Sequence, residues 1–333
     1  MAALTAQIRA ARTALSSTTS AAFIGGSVSA GLGTPTSDVD LFVLTPGGAQ
    51  QQQQSIDGMR VDIEYIDGDS LSKTIAAIKQ LSITPDADQM HRISPSALDI
   101  CGRLLLGEIL QDPREELASL RDSLIEDRST FAKIRISHYA MTAANRLEDA
   151  RGFAITENIQ AELYSTWHAL IFAAKAYSAR QGDIYHGAKW VWSQWRRLSR
   201  RPEGTNNQSL DVPSDGNPVA LRYLCQDLLV QAITGIDYPI IRTTAPGNLA
   251  RNSYAAPLFF KSAVGLLRED LYGVSLSLKG LALWGYSHGR SENEAVEGFA
   301  NKTGVPSPAV ERYLKNLKLA RVLEPSAESR TVS

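Results

Sequence analysis

Between residues 21 and 44 the chain carries two short apolar runs, Ala21–Gly25 and Val39–Leu44. Gly26-Ser27 turns the chain after the first, and Asp38-Val39-Asp40 opens the second. No other stretch restricts the fold and chemistry so tightly. Runs of this length bounded by Gly, Pro and Ser read as strands. Side chains at i and i+2 of a strand share a face, so Asp38 and Asp40 project together with Cα atoms about 7 Å apart. Two carboxylates on one sheet edge repel each other. The arrangement makes sense if divalent cations sit between them. Ligands that are oxygen only suit magnesium or manganese. Two such ions about 3.5–4 Å apart can activate an attacking oxygen and neutralise a leaving group.

Gly26 and Ser27 follow the first strand and are expected to open a helix. Glycine lets backbone approach a phosphate closely, and helix N-terminal amides attract anions. Ser27 adds a hydroxyl donor, and Ser37 does likewise or caps locally. The segment Gly47–Gln54, with glutamine at all of positions 50–54, reads as a surface connector. Met59–Ile66 alternates, with Val61, Ile63 and Tyr65 on one face and Asp62 and Glu64 on the other, which predicts a half-buried strand. A helix starts after Gly68, with Asp69 or Ser70 as its cap. An amphipathic helix is expected at the N-terminus from the spacing of Leu4, Ile8, Ala11 and Leu15.

Gly26-Ser27, the spacer and Ser37-Asp38-Val39-Asp40-Leu41 together resemble the signature of the nucleotidyltransferase superfamily. That superfamily includes polymerase beta and the antibiotic and small-molecule nucleotidyltransferases. Leu104–Pro113 is similar to the passage that closes the catalytic domain in small-molecule members. The resemblance implies an α+β fold: a small mixed-sheet nucleotidyltransferase domain over 1–112, then a helical domain over 113–255. It also implies two Mg2+ ions on Asp38, Asp40 and a third carboxylate. Asp62 is the choice for that third position and Glu64 the alternative. Gly26 and Ser27 would hold the β- and γ-phosphates of a nucleoside triphosphate, with ATP expected. The reaction would be transfer of AMP to a hydroxyl of a small molecule with release of pyrophosphate. An RNA, protein or peptide acceptor is the alternative, and a degenerate nucleotide sensor is a third reading. Competing motifs fail: there is no Gly-x-x-x-x-Gly-Lys loop, and Gly31-Leu32-Gly33 lacks the third glycine of a dinucleotide fingerprint.

From Asp112 onward helical periodicity dominates over 115–124, 130–151, 156–181, 187–199 and 221–234. Residues 201–218 are loop-like and 238–252 irregular. From Leu258 the pattern reads helix, helix, turn, helix, with a short strand at 321–324. This resembles a helix-turn-helix, so a third, winged-helix-like module is expected over 256–333. It carries Arg312, Lys315, Lys318 and Arg321, either as a nucleic-acid or peptide surface or as a solvated face. Lys189, beside Trp190, is a candidate for the triphosphate or a surface lysine, and Lys175 is a poorer version of the same idea. The stretch Trp190, Trp192, Trp195, Arg196, Arg197, Arg200 and Arg201 is read as core tryptophans with a basic helix end. His91, His138, His168, His186 and His288 are read as structural, with His91-Arg92 able to approach the site. Formal net charge is -1, so any nucleic-acid contact must be local. Cys101 and Cys225 are isolated, which argues against zinc or disulfides and for buried thiols. No apolar run is long enough to span a membrane, and a cytoplasmic location is expected.

Overall fold

The computed structural model describes residues 2–15, 20–47, 50–81, 93–199, 217–241, 245, 247–260, 263–267 and 273–326. His91, Arg92, Arg200 and residues 201–216 of the loop expected over 201–218 lie outside the described residues, while Asn217 caps and Pro218 opens a helix. The rest divides into two compact units. The first holds the described residues up to 81 together with 93–134 and 183–194, and the second holds 135–182 and the residues from 195 onward.

The first unit is built on a five-stranded mixed sheet. Its strands are β1 (Ala22–Ile24), β2 (Val39–Leu44), β3 (Gln51–Ile56), β4 (Met59–Ile66) and β5 (Glu108–Gln111), in the spatial order β3-β4-β2-β1-β5. β2 and β4 run parallel, and the other pairs are antiparallel. The period of two sorts the side chains between two cores. Ala22, Ile24, Val39, Leu41, Val43, Val61 and Ile63 pack with Ala10, Ala11 and Leu15 of the N-terminal segment, which begins as α1 (Ala2–Ala14). On the other face Phe23, Phe42, Leu44 and Ile66 pack against α3 (Gly68–Gln80), α4 (Pro95–Leu106) and α5 (Glu116–Glu126), through Leu71, Ile75, Leu98, Cys101 and Leu117. Between β1 and β2 lies a single helical turn, α2 (Gly26–Ser29).

Two expectations for this unit need correction. The glutamine run is not a connector: Gln51–Gln54 lie in β3, an edge strand hydrogen-bonded to β4. A tight turn at Asp57-Gly58, both with positive φ, pairs the two strands, and such Asp-Gly turns match the twist of hairpin strands. The cap of α3 is Asp67, whose carboxylate accepts from the Ser70 amide at 3.0 Å, two or three residues earlier than the residues chosen.

The second unit takes α6 (Arg128–Ile155) from residue 135 onward, then α7 (Ile159–Arg180). It also takes the end of α8 (Val191–Ser199), and α9 (Pro218–Thr234), which is buried along most of its length. The segment expected to start a helix at Leu258 instead forms an antiparallel sheet of β7 (Ala256–Phe260), β8 (Ala263–Leu267) and β9 (Gly273–Leu276). A short, fully apolar run has no period by which strand and buried helix can be told apart. Within the stretch read as irregular, β6 (Leu249–Arg251) pairs with β10 (Leu323–Pro325). Three helices precede β10: α10 (Leu278–Ser287), α11 (Glu292–Thr303) and α12 (Ser307–Leu319). No helix among the described residues is long and apolar enough to cross a membrane.

A buried ionic network ties β6 to α9. Arg251 makes a two-pronged pair with Asp227, at 2.6 and 3.1 Å, and the Tyr238 hydroxyl donates to the same carboxylate at 3.0 Å. Both charged side chains are essentially inaccessible. Truncating one partner strands the other charge without water, at a cost of about 3–5 kcal/mol. Asp227→Ala is therefore expected to lower the urea-unfolding free energy by that amount, and a loss under about 1 kcal/mol would contradict this account. Cys101 and Cys225 are buried and unbridged, and burial pushes the Cys225 thiol up, which keeps it protonated.

Candidate active site

The parallel register of β2 and β4 sets Asp40 directly beside Asp62, and Phe42 beside Glu64. Both aspartates point to the sheet face that carries Phe42, Leu44 and Ile66, because they share the even phase of their strands. Asp38 stands immediately before β2. Side chains of Asp38, Asp40 and Asp62 are 37%, 33% and 32% exposed, so water reaches each of them.

Two arginines, neither singled out from the sequence, hold these acids. The Arg60 guanidinium bridges Asp38 and Asp62, with 2.7 Å to an oxygen of each. Arg103 pairs with Asp40 at 3.3 Å and lies over the Phe42 ring. Gln53 of β3 donates to Asp62 at 2.7 Å, so the glutamine strand touches the site. The hydrogen bonds from Arg60 draw the Asp62 carboxyl below its ordinary value. Asp40 is pushed the other way: burial raises it, Arg103 opposes, and the charges of Asp38 and Asp62 add to the rise. Glu64 is also raised by its partial burial.

Gly26 is the glycine the site cannot replace. Its φ is +76°, and a Cβ built there would lie 1.7 Å from Oδ2 of Asp40. Beside it, Gly25 donates its amide to the Asp40 carbonyl at 2.9 Å. Ser27 is buried, and its carbonyl accepts from the amides of Leu32 and Gly33, each at 2.8 Å, which folds the spacer back. The Ser37 hydroxyl accepts from the Thr34 amide at 2.8 Å and so closes the turn ahead of Asp38.

The segment 183–194 also belongs to this unit. Within it Tyr185 is buried, and its phenol is pushed up to about 12 by burial, with Arg103 opposing and Asp40, Asp99 and Asp38 reinforcing. The charges that act on it place Tyr185 in the electrostatic neighbourhood of the acids, and sequence reading passed it over in favour of Lys189. Lys189 lies in a single 3-10 turn (Ala188–Trp190), exposed, with its ammonium over the Trp190 ring at 5.7 Å. Lys175 sits in the second unit, fully buried, with its ammonium 5.8 Å from the Tyr139 ring. Trp195 packs on Tyr177 at 5.1 Å, but Trp190, Trp192 and Trp195 are each only half-buried, so they line the edge of the packing and not the core. His288 is structural: its Nδ1 accepts from the Arg251 amide, and burial pushes it down to about 2.

The carboxylates fit hard divalent cations on their donor chemistry: three oxygen-only side chains, side by side and open to water. The guanidinium groups supply the positive charge this cluster attracts. Among the described residues no group of three or more acidic, His or Cys side chains is placed to hold a metal ion by itself, so ligands from water and substrate would be needed, as is usual for magnesium. Alongside, a cavity of about 500 Å³ is lined by Glu64, Ile66, Ser70, Leu71, Ala97 and Ile100, among others.

Residues 7–84 match the family model described as a nucleotidyltransferase domain, a span that contains Gly26, Ser27, Asp38, Asp40, Asp62 and Glu64. No curated protein matches the chain. Among solved structures, a nucleotidyltransferase-like protein from Exiguobacterium sibiricum 255-15 is similar at 17% identity and a TM-score of 0.36. That similarity covers 68% of this chain and 77% of the other. The part of the chain that carries these acids is thus similar to nucleotidyltransferase domains, over residues 7–84.

Proposed function

We propose that the protein transfers AMP from ATP to a hydroxyl of a small molecule and releases pyrophosphate, using two magnesium ions held by Asp38, Asp40 and Asp62. The observation that carries this reading is the parallel register that pairs Asp40 with Asp62, with Asp38 drawn to Asp62 through Arg60. Glu64 is the weaker third ligand, because it stands opposite Phe42 and lines the cavity instead. Metal bound at these acids supplies Lewis-acid neutralisation of the triphosphate and acidifies the acceptor hydroxyl. The acceptor oxygen bonds to the α-phosphorus, the bond to the bridging oxygen of the β-phosphate breaks, and Asp62 takes the hydroxyl proton. Gly26 and Ser27 hold the β- and γ-phosphates, with Ser37 fixing the turn beside them and Lys189 available to the triphosphate. The cavity beside Glu64 has the size of sites that take small molecules, which favours such an acceptor over a macromolecule. The test is product mass spectrometry and pyrophosphate release with each of the four ribonucleoside triphosphates and a metabolite extract. Expected is an ATP-dependent mass gain of one AMP on a small molecule. Absence of pyrophosphate release with every triphosphate would overturn the reading.

Arg60 gives a check that needs no turnover. It competes with any cation for Asp38 and Asp62. Arg60→Ala is expected to tighten Mn2+ binding to the nucleotide-free protein by about tenfold, given the strength of charge-assisted hydrogen bonds. Free Mn2+ measured by electron paramagnetic resonance reports it, and unchanged or weaker binding would contradict the competition.

A further inference from the structure

The C-terminal helices have a face that nucleotidyl transfer does not use. α10, α11 and α12 pack on one another. α11 opens on a capping box between Ser291 and Glu294, and Gly304 closes it in the left-handed conformation. Three residues, Gly304-Val305-Pro306, then lead into α12, the turn length and glycine of a helix-turn-helix. α12 buries Val310, Leu314 and Leu317. On its other side Arg312, Lys315, Asn316 and Leu319 are exposed at i, i+3, i+4 and i+7, which is one stripe along the helix.

The charge on this stripe is uncommitted. Lys318 is drawn to Glu292 of α11. Arg312, Lys315 and Arg321 make no ion pair with a described residue. Between Ser307 and Arg321 there are four basic residues and one acidic one, Glu311. Arg321 is exposed and holds a φ of +55°, where glycine or asparagine would sit at lower cost. Leu319, 72% exposed, leaves apolar surface uncovered in the same stripe.

We infer that this face of α12 binds double-stranded DNA. The second helix of a helix-turn-helix lies in the major groove. The groove of B-form DNA is about 12 Å wide and admits a helix of about 10–12 Å diameter. The deep, narrow major groove of A-form RNA does not. Arg312, Lys315 and Arg321 meet phosphates, and Asn316 faces base edges. With a net charge of -1 over the whole chain, attraction has to be local. Three phosphate contacts give a slope of log affinity against log salt of roughly −3, with dissociation constants of about 10⁻⁶–10⁻⁴ M. This binding is independent of nucleotidyl transfer.

Fluorescence anisotropy of the full chain with a labelled 20-base-pair mixed-sequence duplex, without nucleotide at 50 mM KCl, tests it. Expected are saturable binding with that slope, at least a tenfold loss in Arg312→Glu/Lys315→Glu, and no change in Lys73→Glu, an exposed charge on α3. Lys315→Ala, which keeps the helix, is expected to lower the slope by about one. Absence of saturable binding by the unaltered protein would overturn the inference. So would equal binding by the double variant with an unchanged melting curve, or binding of single-stranded RNA as tight as that of the duplex.

Discussion

Alanine at position 26 is expected to lower kcat/KM for pyrophosphate release by at least about a hundredfold, the scale on which a misplacement of 1 Å acts. Two physical effects combine. Gly26 holds a φ of +76°, where an L side chain costs about 1–2 kcal/mol. Its new Cβ would also lie 1.7 Å from Oδ2 of Asp40, well inside contact distance. The backbone cannot yield easily, because Gly25 is hydrogen-bonded to Asp40 and Ser27 to Leu32 and Gly33. The Asp40 carboxylate must therefore leave the position it holds beside Gly26. Gly26→Ala with near-normal turnover would show that Asp40 can occupy another position and still serve.

Asp40→Asn is expected to remove activity by roughly a thousandfold or more, equivalent to about 4 kcal/mol of metal-centred stabilisation. The same change is expected to raise the thermal midpoint of the metal-free protein at pH 7. Burial lifts the Asp40 carboxyl above its ordinary value even with Arg103 alongside. A carboxyl raised on folding contributes stability below its unfolded value, near pH 4, and loses it as pH rises through the folded value. At neutral pH the charged form is thus a net cost, which asparagine removes, and the two proteins should converge in stability toward pH 4. Scanning calorimetry in EDTA across pH 4–8 measures this. A midpoint at pH 7 clearly below that of the unaltered protein would mean that Arg103 outweighs the burial.

The signature strands were legible because their period and punctuation agree. Val39, Leu41 and Val43 alternate with Asp40, Phe42 and Leu44 and fall on opposite faces. The edge strand was missed because glutamine carries no hydrophobic period, although Asp57-Gly58 is a hairpin signal in its own right. The β7–β9 sheet was missed because β7 and β8 are apolar throughout and β9 is only four residues long. Asp38 and Asp40 were singled out by their spacing and Asp62 through the family resemblance, and the register places Asp40 beside Asp62. Arg60 was within reach of the same argument, since it lies two residues before Asp62 on one strand face. Arg103 and Tyr185 were not, because their nearness to the acids follows from tertiary packing of distant segments.

That packing bears on how the protein is made. The first unit does not end where its family-like segment ends. The chain leaves it at residue 134, builds the rest of α6 and all of α7, and comes back with 183–194, which brings Ile184 into the same apolar core as Phe42 and Leu98. A ribosome must therefore deliver about sixty residues beyond α5 before this core can close. Loop closure over such a span is an entropic hurdle. Nascent chains that carry only the signature strands wait with one apolar face of their sheet incomplete, and a protein cut at residue 134 would be left permanently in that condition.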